Sequence, residues 1–327
     1  MEPIALVVAG TGRMAHVRLR ALLATGHVAL CGVASRRIDR ARAFAAAYGC
    51  ELATDDYRLL SGCEPEAVLV AVPDYVQSSV VQWAIEHGLH VLTSGLTGAT
   101  MQHAESLRDY AAERGLVVEA GCEARYKGVW ECARDVVSRG ELGRVVAVQA
   151  VALRCDEPRA VSLAQIASSF VNPLQWIFGD PLTISNVTRS SLDDHHSDAR
   201  SMTLLFAENV VCNLLCGYVA SPESASWKVA IYGTQASLVI EPAEFDTGAL
   251  RLNRGADSRV QTFEHAPDAF VLQAAAFCAS IRGRANVCRS VPATSLCDVR
   301  VAEELVNRMP RLPITARDSA SPGARPA

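Results

Sequence analysis

A glycine-rich turn near the start of the chain has residue types that bind phosphate groups. Residues 10–15 (GTGRMA) match the pattern G-x-G-x-x-G/A, and they follow a short apolar run at residues 4–9. Glycines permit a tight turn and the close approach of a pyrophosphate, while the following helix supplies N–H donors and positive potential at its N-terminus. The alternative is a glycine turn with a packing role only. The candidate dinucleotide-binding residues in this turn are Gly10, Thr11, Gly12, Arg13 and Met14.

The residues after the second apolar run, at 28–34, determine which dinucleotide would fit. A ribose 2′-hydroxyl calls for Asp or Glu at this place, whereas a 2′-phosphate requires that the acid is absent and that an Arg is near. Ser35, Arg36 and Arg37 stand here, and a hydroxyl with two guanidiniums suits a phosphate dianion. We therefore expect NADP(H) as the cofactor. NAD(H) is the alternative if Arg36 and Arg37 merely begin a solvated helix.

Two further segments end predicted strands and are expected at the same edge of the sheet. Val72 and Pro73 close the apolar run at residues 67–72, and Ser94 follows the run at residues 90–93. In open α/β sheets the ligand crevice lies outside the carboxyl ends of the strands. We therefore expect Val72, Pro73 and Ser94 to contact the dinucleotide.

Strands and helices alternate over the first part of the chain. Apolar, β-branched runs are separated by helical stretches, which is typical of a parallel sheet with right-handed crossovers. The predicted strands are residues 4–9, 28–34, 67–72, 90–93 and 116–120. The predicted helices are residues 14–23, 37–48, 76–87 and 101–114. The sequence thus predicts an α/β fold whose N-terminal Rossmann dinucleotide-binding domain covers residues 1–122.

The pattern changes after residue 122, where longer runs alternate between apolar and polar side chains. Such runs fit a sheet with one exposed face. The predicted strands are residues 144–154, 182–190, 200–206, 209–218, 226–232 and 237–241, and the predicted helices are residues 129–139, 163–178, 268–282 and 295–308. We predict a C-terminal α/β domain at residues 123–315, built on a large mixed, mostly antiparallel sheet, and a disordered tail at residues 316–327.

Composition argues against several classes of protein. The chain has 327 residues, of which 50% are hydrophobic and 20% are charged, so most of it can form a folded core. The net charge is −4 without a basic run, so we expect no nucleic-acid or membrane partner. We expect a cytoplasmic location, because no apolar run has the length of a membrane span and the N-terminus lacks a signal-peptide pattern. The 11 cysteines are scattered without a CxxC pair, which favours reduced thiols over a metal site.

The order of several short motifs resembles that of the Gfo/Idh/MocA oxidoreductase family. Besides the glycine turn, the resemblance rests on residues 71–73 (AVP), 84–92 (AIEHGLHVL), 140–148 (GELGRVVAV), 176–181 (WIFGDP) and 231–234 (IYGT). The resemblance implies a Rossmann domain, a C-terminal substrate domain, and a nicotinamide in the cleft between them. It also implies an open C-terminal sheet that joins subunits, so we expect a homodimer or homotetramer.

The residues that move protons in typical members of this family are replaced here. The resemblance places the family's lysine at Gly95 and its frequent histidine at Gln77. The family's helical Asp and His correspond to Gln165 and Ser169, and a further common acid corresponds to Asn172. None of these replacements titrates near neutral pH.

This replacement pattern favours reduction over the oxidation of a sugar hydroxyl. Alcohol oxidation needs a base that takes the alcohol proton as hydride leaves, whereas an electrophilic C=N or activated C=C bond needs only one proton donor. Thiazolinyl imine reductases are a precedent within the family. We predict an NADPH-dependent reductase of a small metabolite, with an imine or activated double bond in secondary metabolism as the candidate substrate. A non-redox lyase, cyclase or isomerase and a catalytically inactive nucleotide-binding protein are the alternatives.

Three residues remain as candidates for catalysis. Tyr126 and Lys127 follow the last predicted Rossmann strand, and we expect Lys127 or Arg125 to lower the pKa of Tyr126. The alternative is that Tyr126 packs in the core and Lys127 is solvated. His195 lies in the run DDHHSD at residues 193–198, which precedes a predicted strand and looks like a loop that can reach the cleft. The alternative for His195 is a solvated loop.

Overall fold

Two β-sheets and the helices packed on them make up the described part of the chain. The structure is a computed structural model, and it describes residues 2–155, 162–191, 198–242, 247–263, 268–283 and 285–307. The predicted tail at residues 316–327 lies outside these ranges.

Six parallel strands form the first sheet. They are β1 (Ile4–Ala9), β2 (Val28–Ala34), β3 (Ala53–Thr54), β4 (Ala67–Val70), β5 (His90–Thr93) and β6 (Val118–Glu119), in the order β3-β2-β1-β4-β5-β6. The helices between them are α1 (Arg13–Ala24), α2 (Ile38–Ala47), α3 (Asp74–Glu86) and α4 (Met101–Glu113). The central strands β1 and β4 are almost wholly buried, because helices cover a parallel sheet on both faces. The predicted Rossmann fold is confirmed.

Eight strands form the second sheet. They are β7 (Val145–Arg154), β8 (Thr183–Ser191), β9 (Asp198–Leu205), β10 (Val211–Tyr218), β11 (Ser226–Gly233), β12 (Ser237–Pro242), β13 (Gly248–Arg254) and β14 (Asp257–Phe263), in the order β14-β13-β12-β11-β7-β10-β9-β8. Only the pair of β7 and β10 is parallel among the pairs of this described sheet. The predicted mixed, mostly antiparallel sheet is therefore confirmed.

Four more helices accompany the second half of the chain. They are α5 (Gly128–Ser138), α6 (Leu163–Phe178), α7 (Ala269–Arg282) and α8 (Pro292–Asn307). Short 3-10 helices lie at Tyr57–Cys63, Glu123–Tyr126, Ala207–Asn209 and Pro222–Ser224. Helix α7 returns to the first sheet, because Ala274 and Phe277 pack in the same core as Leu19 and Leu22 of α1. A domain boundary at residues 122 and 123 stays a prediction.

Helices cover one face of the second sheet and leave the other face open. Val148 and Ala150 of β7 are buried in the core to which α5, α6 and α8 contribute. On the other face Val211 and Tyr232, which both pair with Ala147, are 44% and 43% exposed. Within the described ranges, no helix combines the length and apolar character needed to cross a bilayer.

Candidate active site

A cavity of about 600 Å³ lies at the carboxyl edge of the first sheet, where α6, α8 and the second sheet face it. This volume is within the range of small-molecule sites. On the Rossmann side the wall contains the start of α1 and the segments 94–96 and 120–124. On the other side it contains the end of β7, the first half of α6 and the segment 225–227. The cavity is thus where the strand pattern places a ligand crevice.

The glycine turn has the geometry that a pyrophosphate needs. Gly10 has a φ of +108°, and a Cβ at this position would lie 2.0 Å from the carbonyl oxygen of Ala71, so only glycine fits here. A Cβ on Gly12 would meet no atom within 4 Å, which leaves open space beside the turn. Gly12 caps α1 without a side-chain hydrogen bond, and the first turn of α1 contains no acid. The N–H groups of this turn are therefore suited to bind an anion, and Arg13 and Met14 line the cavity beside them.

The segment after β2 carries the groups that would meet a 2′-phosphate. Thr11 Oγ1 donates a hydrogen bond to Ser35 Oγ at 3.1 Å, so the second strand end is tied to the glycine turn. The exposed guanidinium of Arg36 lies 5.9 Å from the ring centre of Tyr75. Arg37 is also exposed, and it donates to both carboxylate oxygens of Asp39. Because Asp39 already engages Arg37, Arg36 is the better placed of the two arginines to bind phosphate.

Val72, Pro73 and Ser94 lie next to the turn or the cavity. The amide nitrogen of Val72 would be 3.2 Å from a Cβ on Gly10, and Pro73 is the residue before α3. Ser94 follows β5 and lines the cavity. Contact of these residues with a dinucleotide stays a prediction.

The wall around Gly95 consists of neutral amides. Gln77 Nε2 donates to the carbonyl oxygen of Leu96 at 2.5 Å, and Ser94 Oγ donates to Gln77 Oε1 at 3.4 Å. A Cβ on Gly95 would lie 3.0 Å from the Nε2 atoms of both Gln77 and Gln165. Three positions that the family resemblance singles out are therefore in one place, and their two amide side chains fill the space beside Gly95. We call Gly95, Gln77 and Gln165 the amide wall.

A carboxyl group lies behind this wall. Asp74, the first residue of α3, accepts a hydrogen bond on Oδ1 from Gln165 Nε2 at 2.6 Å. Burial raises the pKa of Asp74, and a hydrogen bond from Ser162 acts in the opposite direction. Asp74 is not one of the described residues that line the cavity.

A second carboxyl group stands in the wall of the cavity itself. Asp298 of α8 is 2% exposed and lines the cavity beside Ser168 and Ser169 of α6. Its Oδ2 accepts a hydrogen bond from Asn172 Nδ2 at 2.5 Å, whereas its Oδ1 has no hydrogen-bond partner among the described residues. Burial raises the pKa of Asp298 to about 7, against the lowering effects of the Asn172 hydrogen bond and of the Arg125 charge. We call Asp298 and Asn172 the acid floor.

Two other side chains of the wall carry buried polar atoms without partners. Ser168 Oγ and Arg18 Nε form no hydrogen bond within the described part of the chain, and both residues line the cavity. The other nitrogens of Arg18 donate to Gln273 Oε1 at 2.6 Å and to the carbonyl oxygen of Gly121 at 2.9 Å. Buried polar atoms are nearly always hydrogen-bonded, so these two atoms keep unused bonding capacity in the cavity wall. Sequence reasoning missed Asp298, Ser168 and Arg18, because no motif or spacing marks them.

Tyr126 requires a correction, because the structure places it in the core and not in the cavity wall. It is 3% exposed, and its hydroxyl donates to Glu119 Oε1 at 2.6 Å and accepts from the amide nitrogen of Arg289 at 2.9 Å. Burial, and then the charge of Glu119, raise the pKa of Tyr126. The expected lowering of this pKa was wrong, since burial and the neighbouring carboxyl group of Glu119 both raise it.

Lys127 and His195 have different outcomes. Lys127 precedes α5 and lines the cavity, so its position permits contact with a ligand. A catalytic role for Lys127 stays a prediction. His195 lies outside the described residues.

Comparison with known families finds a match for the Rossmann part of the chain. The family described as "Oxidoreductase family, NAD-binding Rossmann fold" (GFO_IDH_MocA) matches residues 4–122. The first part of the chain therefore matches the oxidoreductase family that the motifs suggested.

Two curated relatives show how far the sequence likeness extends. An uncharacterized oxidoreductase of Rhizobium meliloti, ORF334, is 27% identical over 308 residues, which cover 86% of this chain and 90% of that protein. The dTDP-3,4-didehydro-2,6-dideoxy-alpha-D-glucose 3-reductase of Streptomyces antibioticus is 33% identical over 130 residues, or 40% of each chain.

Solved structures share the whole fold. KijD10, a 3-ketoreductase from Actinomadura kijaniata in complex with NADP, has a TM-score of 0.80 at 20% identity, covering 93% of this chain and 97% of that one. Biliverdin reductase from Synechocystis, in complex with biliverdin and NADP+, has a TM-score of 0.80 at 17% identity, covering 93% and 98%. These likenesses show the fold that the two sheets define.

Proposed function

We propose that this oxidoreductase is an NADPH-dependent reductase of a small metabolite that carries an imine or another activated double bond. The observation that supports this most strongly is the combination of an open dinucleotide turn with the amide wall in one cleft. The turn can bind a pyrophosphate, while Gly95, Gln77 and Gln165 offer no base for an alcohol proton. Reduction of a polarised double bond is compatible with both features.

The residues that would hold NADPH extend from the turn to the end of β2. Backbone N–H groups at the start of α1 bind the pyrophosphate, and Ser35 and Arg36 bind the 2′-phosphate. Bound NADPH supplies the hydride. Two relatives support the phosphorylated cofactor, because KijD10 and the Synechocystis biliverdin reductase were solved with NADP.

The lining of the cavity as a whole favours a substrate with an apolar body and an anionic group. Trp130, Trp227 and Phe270 line the cavity and provide large apolar surfaces. The ionisable residues that line the cavity are Arg13, Arg18, Cys122, Glu123, Lys127, Arg154, Cys155 and Asp298. Cationic groups outnumber carboxyl groups in this set. Relatives named 3-reductase and 3-ketoreductase support the reductive direction.

The open face of the second sheet supports a homodimer or homotetramer. Val211 and Tyr232 expose apolar surface there, on either side of Ala147 of β7. Burying such a face in a second copy removes it from water. Light scattering with a concentration series tests this assembly, and a monomer at all concentrations would contradict it.

Cofactor choice is tested by titrating the protein with NADPH and with NADH and following nicotinamide fluorescence. We expect NADPH to bind at least about tenfold more tightly. Arg36→Ala removes most of this difference, whereas Arg42→Ala, at an exposed position of α2, retains it. Equal affinity for the two cofactors in the wild type would contradict the assignment.

Reduction is tested by following NADPH oxidation with a methylpyrroline (a cyclic imine), cyclohexenone, benzaldehyde and anionic analogues of each. We expect oxidation with at least one imine or enone. Failure with the whole panel would contradict the proposal. Product formation without net NADPH oxidation would indicate a lyase, cyclase or isomerase, and stabilisation by ligand without turnover would indicate a binding protein.

A further inference from the structure

We propose that Asp298 is the catalytic acid of this site and that its Oδ1 delivers the proton to the substrate. The inference rests on the proposed reductase function. It is carried by the position of Asp298 in the cavity wall, by its burial, and by the hydrogen bond that engages only one of its two oxygens.

The partners of Asn172 determine which oxygen of Asp298 carries the proton. Arg125 Nε donates to Asn172 Oδ1 at 2.5 Å, and a guanidinium can only donate, so this atom of the amide must be the acceptor oxygen. The other amide atom is therefore the NH₂ group, which donates to Asp298 Oδ2. Oδ2 is thus occupied as an acceptor. When Asp298 is neutral, its proton resides on Oδ1, the oxygen without a partner among the described residues.

The surroundings hold Asp298 in a state that can give up a proton near neutral pH. Arg125 is the one charged group among the described residues that shifts its pKa, and it favours the carboxylate. Helix α6 contributes the neutral amide of Asn172. Cys122, from the segment after β6, and Cys297, from α8 itself, are the nearby titratable groups, and burial raises the pKa of both thiols so far that they stay neutral. An acid with a pKa close to the working pH is suited to general acid catalysis.

The proposed step balances with the cofactor named above. For an imine, Asp298 Oδ1 gives its proton to the nitrogen atom, and bound NADPH would supply the hydride to the carbon atom, so that the products would be an amine, NADP⁺ and the Asp298 carboxylate. For an activated C=C bond, the β-carbon would take the hydride and the α-carbon would take the proton from Asp298 Oδ1. Solvent returns a proton to Asp298 after the product leaves.

Three other groups are weaker candidates for the same role. Asp74 is bonded to Gln165 and is not one of the described cavity-lining residues. Glu123 lines the cavity, but its carboxyl group already pairs with the Arg18 guanidinium at 3.4 Å. Lys127 lines the cavity, and its replacement decides whether it contributes.

The first test compares Asp298→Asn with Asp74→Asn and Lys127→Met in the holoenzyme. Asp135→Asn, at an exposed position of α5, is the matched control for the chemical change. The substrate is the member of the panel that the wild type reduces fastest, and kcat is measured from about pH 5 to about pH 9. We expect Asp298→Asn to lower kcat by about 10²- to 10⁴-fold and to abolish the decline of kcat at alkaline pH. If Asp298→Asn lowered kcat only by disturbing the structure, the decline of kcat at alkaline pH would remain.

The second test does not depend on turnover. The midpoint of thermal unfolding is measured against pH for the wild type and for Asp298→Asn without cofactor. Because the pKa of Asp298 is raised to about 7 in the folded state, the wild type loses stability relative to the variant as pH rises from about 4 to about 7. Above that range the difference is constant.

The outcomes separate this inference from the reductase proposal. An alkaline decline that disappears in Asp74→Asn or Lys127→Met, and persists in Asp298→Asn, overturns the inference and leaves the reductase intact. A stability difference that does not change between about pH 4 and about pH 7 also overturns it. If no substrate is reduced although NADPH binds, the reductase proposal fails and the donor role with it, while the stability measurement still reports the protonation state of Asp298.

Discussion

The amide wall and the acid floor are two polar parts of one cleft, and they differ in what they can do with a proton. In the wall, Gln77 and Gln165 form hydrogen bonds to Leu96 and to Asp74, and neither amide titrates near neutral pH. In the floor, Asp298 has one bonded oxygen and one oxygen without a partner among the described residues, and burial raises its pKa to about 7. The wall therefore offers no amide that titrates near neutral pH, whereas the floor has a carboxyl oxygen without a partner among the described residues.

This difference teaches that the acid–base capacity of a site does not have to stay at the positions that a family resemblance marks. The resemblance marks Gly95, Gln77, Gln165 and Asn172, none of which can exchange a proton near neutral pH. The carboxyl group that we propose for this role comes from α8, lines the cavity itself, and accepts a hydrogen bond from Asn172. A neutral residue at a family position can thus orient an acid that another element supplies.

The largest expected difference in turnover is between two single variants, one in the acid floor and one in the amide wall. Asp298→Asn lowers turnover by about 10²- to 10⁴-fold, because it removes the proton donor. Gln165→Leu lowers turnover by less than about tenfold, because it removes a neutral amide that packs beside Gly95 and donates to Asp74 behind the wall. Steady-state NADPH oxidation measures both. A larger loss in Gln165→Leu than in Asp298→Asn would reverse the comparison.

A second variant places a carboxyl group at the family position in the floor. In Asn172→Asp two acids face each other across the 2.5 Å contact that now joins Asn172 to Asp298. Two carboxylates at this distance cannot both ionise easily, so one pKa of the pair rises. We expect the alkaline decline of kcat to move up by about one pH unit or more. An unchanged or lower midpoint would show that Asp298 is not the titrating group.

Tyr126→Phe tests the correction to the sequence-based prediction. The change removes a buried hydroxyl that donates to Glu119 and accepts from the amide of Arg289. We expect a loss of about 1–3 kcal/mol in the free energy of unfolding, with turnover within about twofold of the wild type. Urea denaturation and steady-state rates measure these quantities. A stable protein with a large loss of turnover would return Tyr126 to the catalytic site.

The smallest effect is expected from putting the family's lysine back. In Gly95→Lys the new Cβ meets the ends of the Gln77 and Gln165 side chains at 3.0 Å, and these flexible ends can shift. We expect turnover to change by less than about tenfold, and the substitution not to rescue Asp298→Asn. Rescue of Asp298→Asn by Gly95→Lys would show that the wall still accepts a proton donor.

The sequence predicted those features that depend on local constraints. The turn at Gly10 is recognisable because a single close contact with Ala71 requires glycine there. Alternating apolar residues predicted most strands of the second sheet, because this alternation is also a local constraint. The two-residue strand β3, the strand β13 and the edge strand β14 were missed, because β3 is too short for a pattern and nearly all side chains of β14 are exposed.

The acid floor could not be predicted in this way. Asp298 and Asn172 are 126 positions apart, and Arg125 comes from a third segment. Only the packing of α6 against α8 creates their shared environment. Tyr126 shows the same limit of sequence reasoning. Its neighbours in sequence are cations, whereas its hydroxyl contacts Glu119 in the structure.

Infrared difference spectroscopy of the carboxyl C=O stretch, wild type minus Asp298→Asn, examines the protonation of Asp298 most directly. Spectra of the cofactor-free protein are recorded across neutral pH. The difference spectrum of wild type minus Asp135→Asn is the control, because it shows the signal of an exposed carboxyl group replaced by an amide. A protonated carboxyl band that belongs to Asp298 and disappears with a midpoint at about 7 is the predicted result. A carboxylate signal for Asp298 already at about pH 5 would contradict the assignment, because the acid floor would then hold no proton to give.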